Sequence, residues 1–182
     1  MRKPINYIPK EAVEGKWKEE LIIYLAKMFN IKTLVETGTC EGSTMLAVHK
    51  EFEQCYSIEL SDYYYHTACH KLSSAKNITL YHGDSSTMLK TVLQIIPPQK
   101  TLFFLDAHGS NEKTAHTDPL AEEIKSIMQS CQSGFILIDD EPNGELDRVI
   151  EAGVSFDGWT KEYHYGIIFL FKTGLYKIPT FE

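Results

Sequence analysis

Short apolar runs alternate with longer stretches of helical spacing along most of the chain. The runs Thr33–Glu36, Cys55–Leu60, Ile78–His82, Leu102–Leu105 and Phe135–Ile138 are rich in branched and aromatic residues and predict strands. Between and after them, Ser43–Phe52, Tyr63–Ser73, Thr87–Ile96, Pro119–Cys131 and Leu146–Ala152 carry helical spacing. Asp62 and Asp118 stand where N-caps belong, Pro119 suits a first helical turn, and Pro97-Pro98 forbids continuation of the third helix. Strands that are apolar almost throughout need cover on both faces, so the pattern predicts a parallel, doubly wound α/β sheet. Two adjacent β-like runs, Thr160–Tyr165 and Ile167–Lys172, flank Gly166 and predict a closing antiparallel pair, for about seven strands in all. Ahead of the sheet, Val13, Trp17, Leu21, Tyr24, Leu25 and Met28 share one face of an amphipathic helix whose simplest use is core packing.

In such a sheet, ligands bind beyond the carboxyl ends of the strands, where strand order reverses. Those ends are rich in acid: Glu36 at the first, Glu59 at the second, Asp84 after the third, Asp106 after the fourth and Asp139-Asp140-Glu141 after the fifth. The first loop, Glu36-Thr37-Gly38-Thr39-Cys40-Glu41-Gly42-Ser43, has two glycines that let backbone approach a ligand closely. It lacks the G-x-G-x-x-G spacing of a dinucleotide loop, and Glu36 would repel a pyrophosphate. A cationic or hydroxyl-bearing ligand suits it better. Glu59 follows Glu36 by 23 residues, near the offset at which a carboxylate takes ribose hydroxyls, which implies an adenosine-like group.

Composition narrows the classes. The 182 residues are 43% hydrophobic and 24% charged, the make-up of one globular domain with a real core. We expect a single domain over 1–182, with an N-terminal helical segment at 1–31 and the sheet at 32–182. A formal charge of −7 opposes a phosphate backbone, so no nucleic-acid partner is expected. Four scattered cysteines without a CxxC pair indicate neither a disulfide framework nor a zinc site. With no apolar run of membrane-spanning length and no signal core, the expected location is the cytoplasm, away from membranes.

LVETGTCEGST, SIELSD and YHGDS together resemble the class I S-adenosylmethionine-dependent methyltransferases, from about Lys32 to the C-terminus, and imply a Rossmann-like fold. By that resemblance Glu36, Gly38, Thr39, Gly42 and Ser43 surround the methionine end, Glu59 takes the ribose, and Asp84 with Ser85 lies at the adenine edge; Asp106 closes the cofactor site. The loop ETGTCEGS is similar to the catechol O-methyltransferase form. LDAHG followed by LIDDE resembles the Mg²⁺-dependent O-methyltransferases of catechols and natural-product sugars. Asp106, Asp139 and Asp140 form an all-oxygen set that suits a hard cation such as Mg²⁺. The alternative is that these acids cap a loop and a helix. Asp140 stands where the catechol enzymes carry an amide, and the Asp-Asp pair matches the sugar-modifying relatives.

The resemblance also implies that His108, two residues after Asp106, acts as general base on an acceptor hydroxyl, against the alternative of a hydrogen-bonded loop histidine. His82, His116 and Lys113 read as structural or solvent-facing. The expected function is O-methyl transfer to a hydroxyl of a small molecule or sugar, from a monomer or homodimer that the sequence does not distinguish. Rival readings are a non-catalytic S-adenosylmethionine or nucleoside module on the same fold, and a metal-dependent hydrolase using Asp106, His108, His116 and Asp139. The hydrolase leaves Glu36 and Glu59 without a role.

Overall fold

A computed structural model describes residues 17–97, 99–107, 119–130, 133–139, 145–164 and 167–172. In chain order the elements are α1 (Trp17–Phe29), β1 (Thr33–Thr37), α2 (Ser43–Val48), β2 (Gln54–Glu59), α3 (Asp62–Lys71), β3 (Ile78–His82) and α4 (Ser85–Leu93). There follow β4 (Gln99–Leu105), α5 (Leu120–Ser130), β5 (Ser133–Asp139), α6 (Glu145–Glu151), β6 (Trp159–His164) and β7 (Ile167–Lys172). One seven-stranded sheet runs in the order β3-β2-β1-β4-β5-β7-β6. β1 pairs in parallel with β2 and β4, and β5 in parallel with β4, whereas β7 pairs antiparallel with both β5 and β6. The expected doubly wound, Rossmann-like sheet with an antiparallel C-terminal pair is the observed one.

Strand periodicity explains the two layers. Leu34, Leu102, Phe104, Phe135, Leu137, Phe169 and Phe171 face one side of the sheet and pack with Leu21, Ile22, Leu25 and Ala26 of α1, Met45 and Val48 of α2, and Ala68 of α3. Their neighbours Val35, Phe103, Leu105, Ile136, Ile138, Ile168 and Leu170 face the other side, against Leu89 and Val92 of α4, Leu120, Ile124 and Ile127 of α5, and Leu146 and Val149 of α6. The central strands β1, β4, β5 and β7 therefore lack the apolar–polar alternation of a half-exposed sheet, because both their faces are covered, whereas the edge strands β3 and β6 are only partly buried.

Several boundaries differ from expectation for local reasons. The helix predicted over Ser43–Phe52 ends at Val48 and tightens into a 3-10 turn over His49–Glu51. Asp62 is not the N-cap of α3; Ser61 is, its Oγ accepting from the Tyr64 amide, and Asp62 begins the helix. Asp84 is the N-cap of α4, which starts two residues earlier than the spacing suggested. The helical segment expected to include Val13 begins at Trp17 among the described residues, and Asp118 lies outside them.

Candidate active site at the strand carboxyl ends

Strand order reverses between β1 and β4, and the loop from β1 turns toward α2 there. The turn needs glycine at Gly38. Its φ is +82°, and a Cβ would lie 2.3 Å from the Asp106 carbonyl oxygen and 2.9 Å from the Ala107 Cα. The Asp106 amide donates to the Thr37 carbonyl at 3.0 Å, holding the end of β4 against the same loop. At Gly42, also left-handed (φ +74°), a Cβ would lie 2.9 Å from the side chain of Leu72, the residue that caps the end of α3. Backbone contact thus requires glycine at Gly38, while the left-handed φ favours it at Gly42.

Glu59 closes β2 and is 7% exposed. One carboxylate oxygen accepts from the Cys40 amide at 2.7 Å and the other from the Ser61 amide at 2.8 Å. Each oxygen has a second lone pair, so the pinned carboxylate keeps accepting capacity for a ligand. Beside it Leu60 is 40% exposed, an apolar surface next to a fixed acid.

Glu36 is 2% exposed. Ser57 Oγ donates to Glu36 Oε2 at 2.5 Å and lies 2.6 Å from Thr39 Oγ1, so a hydroxyl chain ties the acid to the glycine loop. Burial raises its pKa to about 8; the Ser57 hydrogen bond opposes the rise, and the negative charges of Asp106 and Glu59 add to it. Glu36 is therefore largely a neutral acid at pH 7. Ser57 was not among the expected site residues. Its signal was a lone small hydroxyl inside the apolar strand sequence CYSIEL.

The remaining expected residues are spread along this edge. Thr39 is buried, while Ser43 Oγ accepts from Lys71 Nζ at 2.7 Å. Asp84 Oδ1 accepts from both the amide and the hydroxyl of Ser86, and Ser85 is buried behind it. Asp84 thus has a capping duty at the place where an adenine contact was expected. Thr37 Oγ1 at the end of β1 is buried with no hydrogen-bond partner among the described residues. An unpaired buried hydroxyl is costly unless something satisfies it, and the Gly38 cradle with a waiting Thr37 hydroxyl and a pinned Glu59 fits a nucleoside bearing a small polar tail.

On the other side of the reversal, Leu105 is in register with Ile138, so Asp106 and Asp139 follow on neighbouring parallel strands. Asp139 is bound by the Lys18 ammonium of α1, an ion pair the sequence gave no sign of. No cluster of three metal-ligating side chains occurs among the described residues. His108, Lys113, His116 and Asp140 lie outside the described residues. His82 is exposed, its ring stacked on Tyr65 at 4.7 Å and its Nε2 3.3 Å from Asp62, a surface role as expected.

No family model and no curated protein matches the sequence. Solved structures do. The O-methyltransferase TomG of Streptomyces achromogenes, involved in tomaymycin synthesis and solved with S-adenosylmethionine, superposes with a TM-score of 0.66 at 16% identity, covering 91% of this chain and 83% of its own. The fold is that of the S-adenosylmethionine-dependent methyltransferases. An O-methyltransferase of Bacillus cereus in complex with S-adenosylhomocysteine gives 0.64 at 13% identity, over 90% of this chain and 84% of that one. A precorrin-6y C5,15-methyltransferase of Geobacter metallireducens gives 0.62 at 13%, over 88% and 89%. Methylation at oxygen and at carbon thus shares this fold, and the acceptor must be argued from the site.

Proposed function

We propose that the chain is an S-adenosylmethionine-dependent O-methyltransferase, acting on a hydroxyl of a small molecule or sugar with the help of Mg²⁺. The observation that carries the donor assignment is Glu59, fixed at the end of β2 by two backbone amides beside the Gly38 loop, where a ribose diol would find a rigid bidentate acceptor. Gly38 lets backbone approach the donor, the buried Thr37 hydroxyl and Glu36 face its methionine end, and Leu60 offers an apolar surface for the base.

When bound, the donor supplies an activated methyl on a sulfonium, and the divalent ion supplies a Lewis acid that lowers the acceptor hydroxyl's pKa. Asp106, Asp139 and Asp140 are the residues that would hold the ion; their donor set is all oxygen, as a hard cation requires. Asp106 and Glu59 place negative charge on both sides of the loop that would meet the sulfonium, which favours a cationic donor over its neutral product. His108 takes the acceptor proton. Most of the rate enhancement then comes from holding the acceptor oxygen in line with the methyl group.

The experiment is a screen of hydroxyl compounds with labelled methyl donor, with and without Mg²⁺. Labelled ether product that requires Mg²⁺ and is lost in Asp139→Asn supports the proposal. Transfer to carbon or nitrogen only, or undiminished transfer after chelation, contradicts it. The cytoplasm is the proposed location; among the described residues no helix is long and apolar enough to cross a membrane.

A further inference from the structure

α1 lies on the sheet with Leu21, Ile22 and Leu25 buried. Lys18 precedes them by three, four and seven residues, so it continues the inward stripe and places an ammonium where that stripe passes over the carboxyl edge of the sheet. The position is unfavourable for helix stability, because the N-terminal end of a helix dipole repels cations and α1 otherwise carries Glu19 and Glu20 in its first turn. What Lys18 gains is Asp139. Its ammonium pairs with Oδ2 of that carboxylate, whose side chain is only 11% exposed, while the lysine side chain remains 35% exposed. An acid at a crowded acidic edge is thereby neutralised by the protein's own cation, reaching across 121 residues of sequence.

We propose that Lys18 and a divalent cation are alternative partners of Asp139, so that metal binding displaces the ammonium and unlatches the first turn of α1. The inference rests on the reading of Asp106, Asp139 and Asp140 as a Mg²⁺ site and adds what sets the affinity of that site. A divalent ion and an ammonium on one mostly buried carboxylate repel each other, so each divalent ion bound weakens the Lys18 pair. Lys18 then acts as a tethered competitor, and the N-terminal helix reports metal occupancy.

The test is a calorimetric Mg²⁺ titration of the wild-type protein, Lys18→Met and Lys27→Met, with hydrogen exchange of the α1 amides in the presence and absence of Mg²⁺. Lys27 pairs with Glu51 at 3.2 Å on the surface, so its loss controls for the change in net charge. The expected result is Mg²⁺ affinity about tenfold or more higher in Lys18→Met and unchanged in Lys27→Met, a tenfold gain matching roughly 1.4 kcal/mol. Amides of the first turns of α1 should exchange faster in the wild-type protein when Mg²⁺ is added. Equal affinity in all three proteins, with α1 exchange unaffected by Mg²⁺, overturns the exchange mechanism and leaves the metal site standing. Absence of Mg²⁺ binding in all three overturns the metal site itself and the exchange with it. Wild-type hydrogen exchange decides the matter even if Lys18→Met folds poorly.

Discussion

At the scale of single residues the site is built from groups held in costly states. Gly38 is the clearest: its left-handed φ and the absence of space for a Cβ beside Asp106 act together. Gly38→Ala should destabilise the protein by roughly 2–4 kcal/mol, within the range of large single-site effects, as read from the midpoint of urea unfolding. A change below ~0.5 kcal/mol would mean that the loop can move away from Asp106. Glu36 is held as a neutral acid by burial, with a folded pKa of about 8 against an ordinary value of 4.5. Its folded pKa is raised, so its contribution is fully present below pH 4.5 and is lost as pH rises to about 8. Each tenfold difference in proton affinity is worth about 1.4 kcal/mol, so the total loss across that window is several kcal/mol at most. Glu36→Gln, which keeps an uncharged hydrogen-bonding side chain, should flatten that part of the stability–pH curve. Chemical denaturation at pH 5, 6.5 and 8 measures it, and an unchanged slope would show that Glu36 does not carry the buried proton. His108→Gln tests the base: with an alcohol acceptor, kcat should fall ~10²–10⁴-fold while donor affinity is kept. A mutant that loses donor binding instead would place His108 in the loop scaffold.

At the scale of elements, legibility followed periodicity. Strands showed as apolar runs because both faces are buried, and Phe103 and Phe104, adjacent in sequence, end up on opposite sides of β4. Helix ends were harder, since caps are decided by one hydrogen bond among several candidates: Ser61 takes the role that Asp62 also fits, and Asp84 caps α4 at a position where its acid also suits an adenine. The acids of the site were readable from their places at strand ends. Ser57 left only the faint sign of a lone small hydroxyl in an apolar run, and the Lys18–Asp139 pair left none, because it joins residues far apart in sequence. α1 packs on the sheet through Leu21, Ile22, Leu25 and Ala26, of which Ile22 is fully buried. Ile22→Ala should lower stability by roughly 2–5 kcal/mol through the cavity left against the sheet. A cost under ~1 kcal/mol in thermal or urea unfolding would show that α1 is only loosely docked.

At the scale of the molecule, doubly wound topology gathers acids from separate stretches of sequence onto one edge. Pairing of β1 with β2 and β4 brings Glu59 and Asp106 beside Glu36, whose pKa is raised first by burial and further by their charges, and Asp139 follows on the next strand. On the proposed reading, the acids at this edge of a chain of net charge −7 would attract a cationic donor and disfavour a pyrophosphate. On the proposed reading this edge binds the adenosyl donor through Glu59, and calorimetric titration with S-adenosylhomocysteine measures that binding. The expected result is micromolar-range binding by the wild-type protein, negligible heat with NAD, and a loss of about 1.5–3 kcal/mol in Glu59→Ala, the scale of hydrogen bonds to a charged group. Equal affinity in wild type and Glu59→Ala, or NAD binding as tight as S-adenosylhomocysteine, would contradict it.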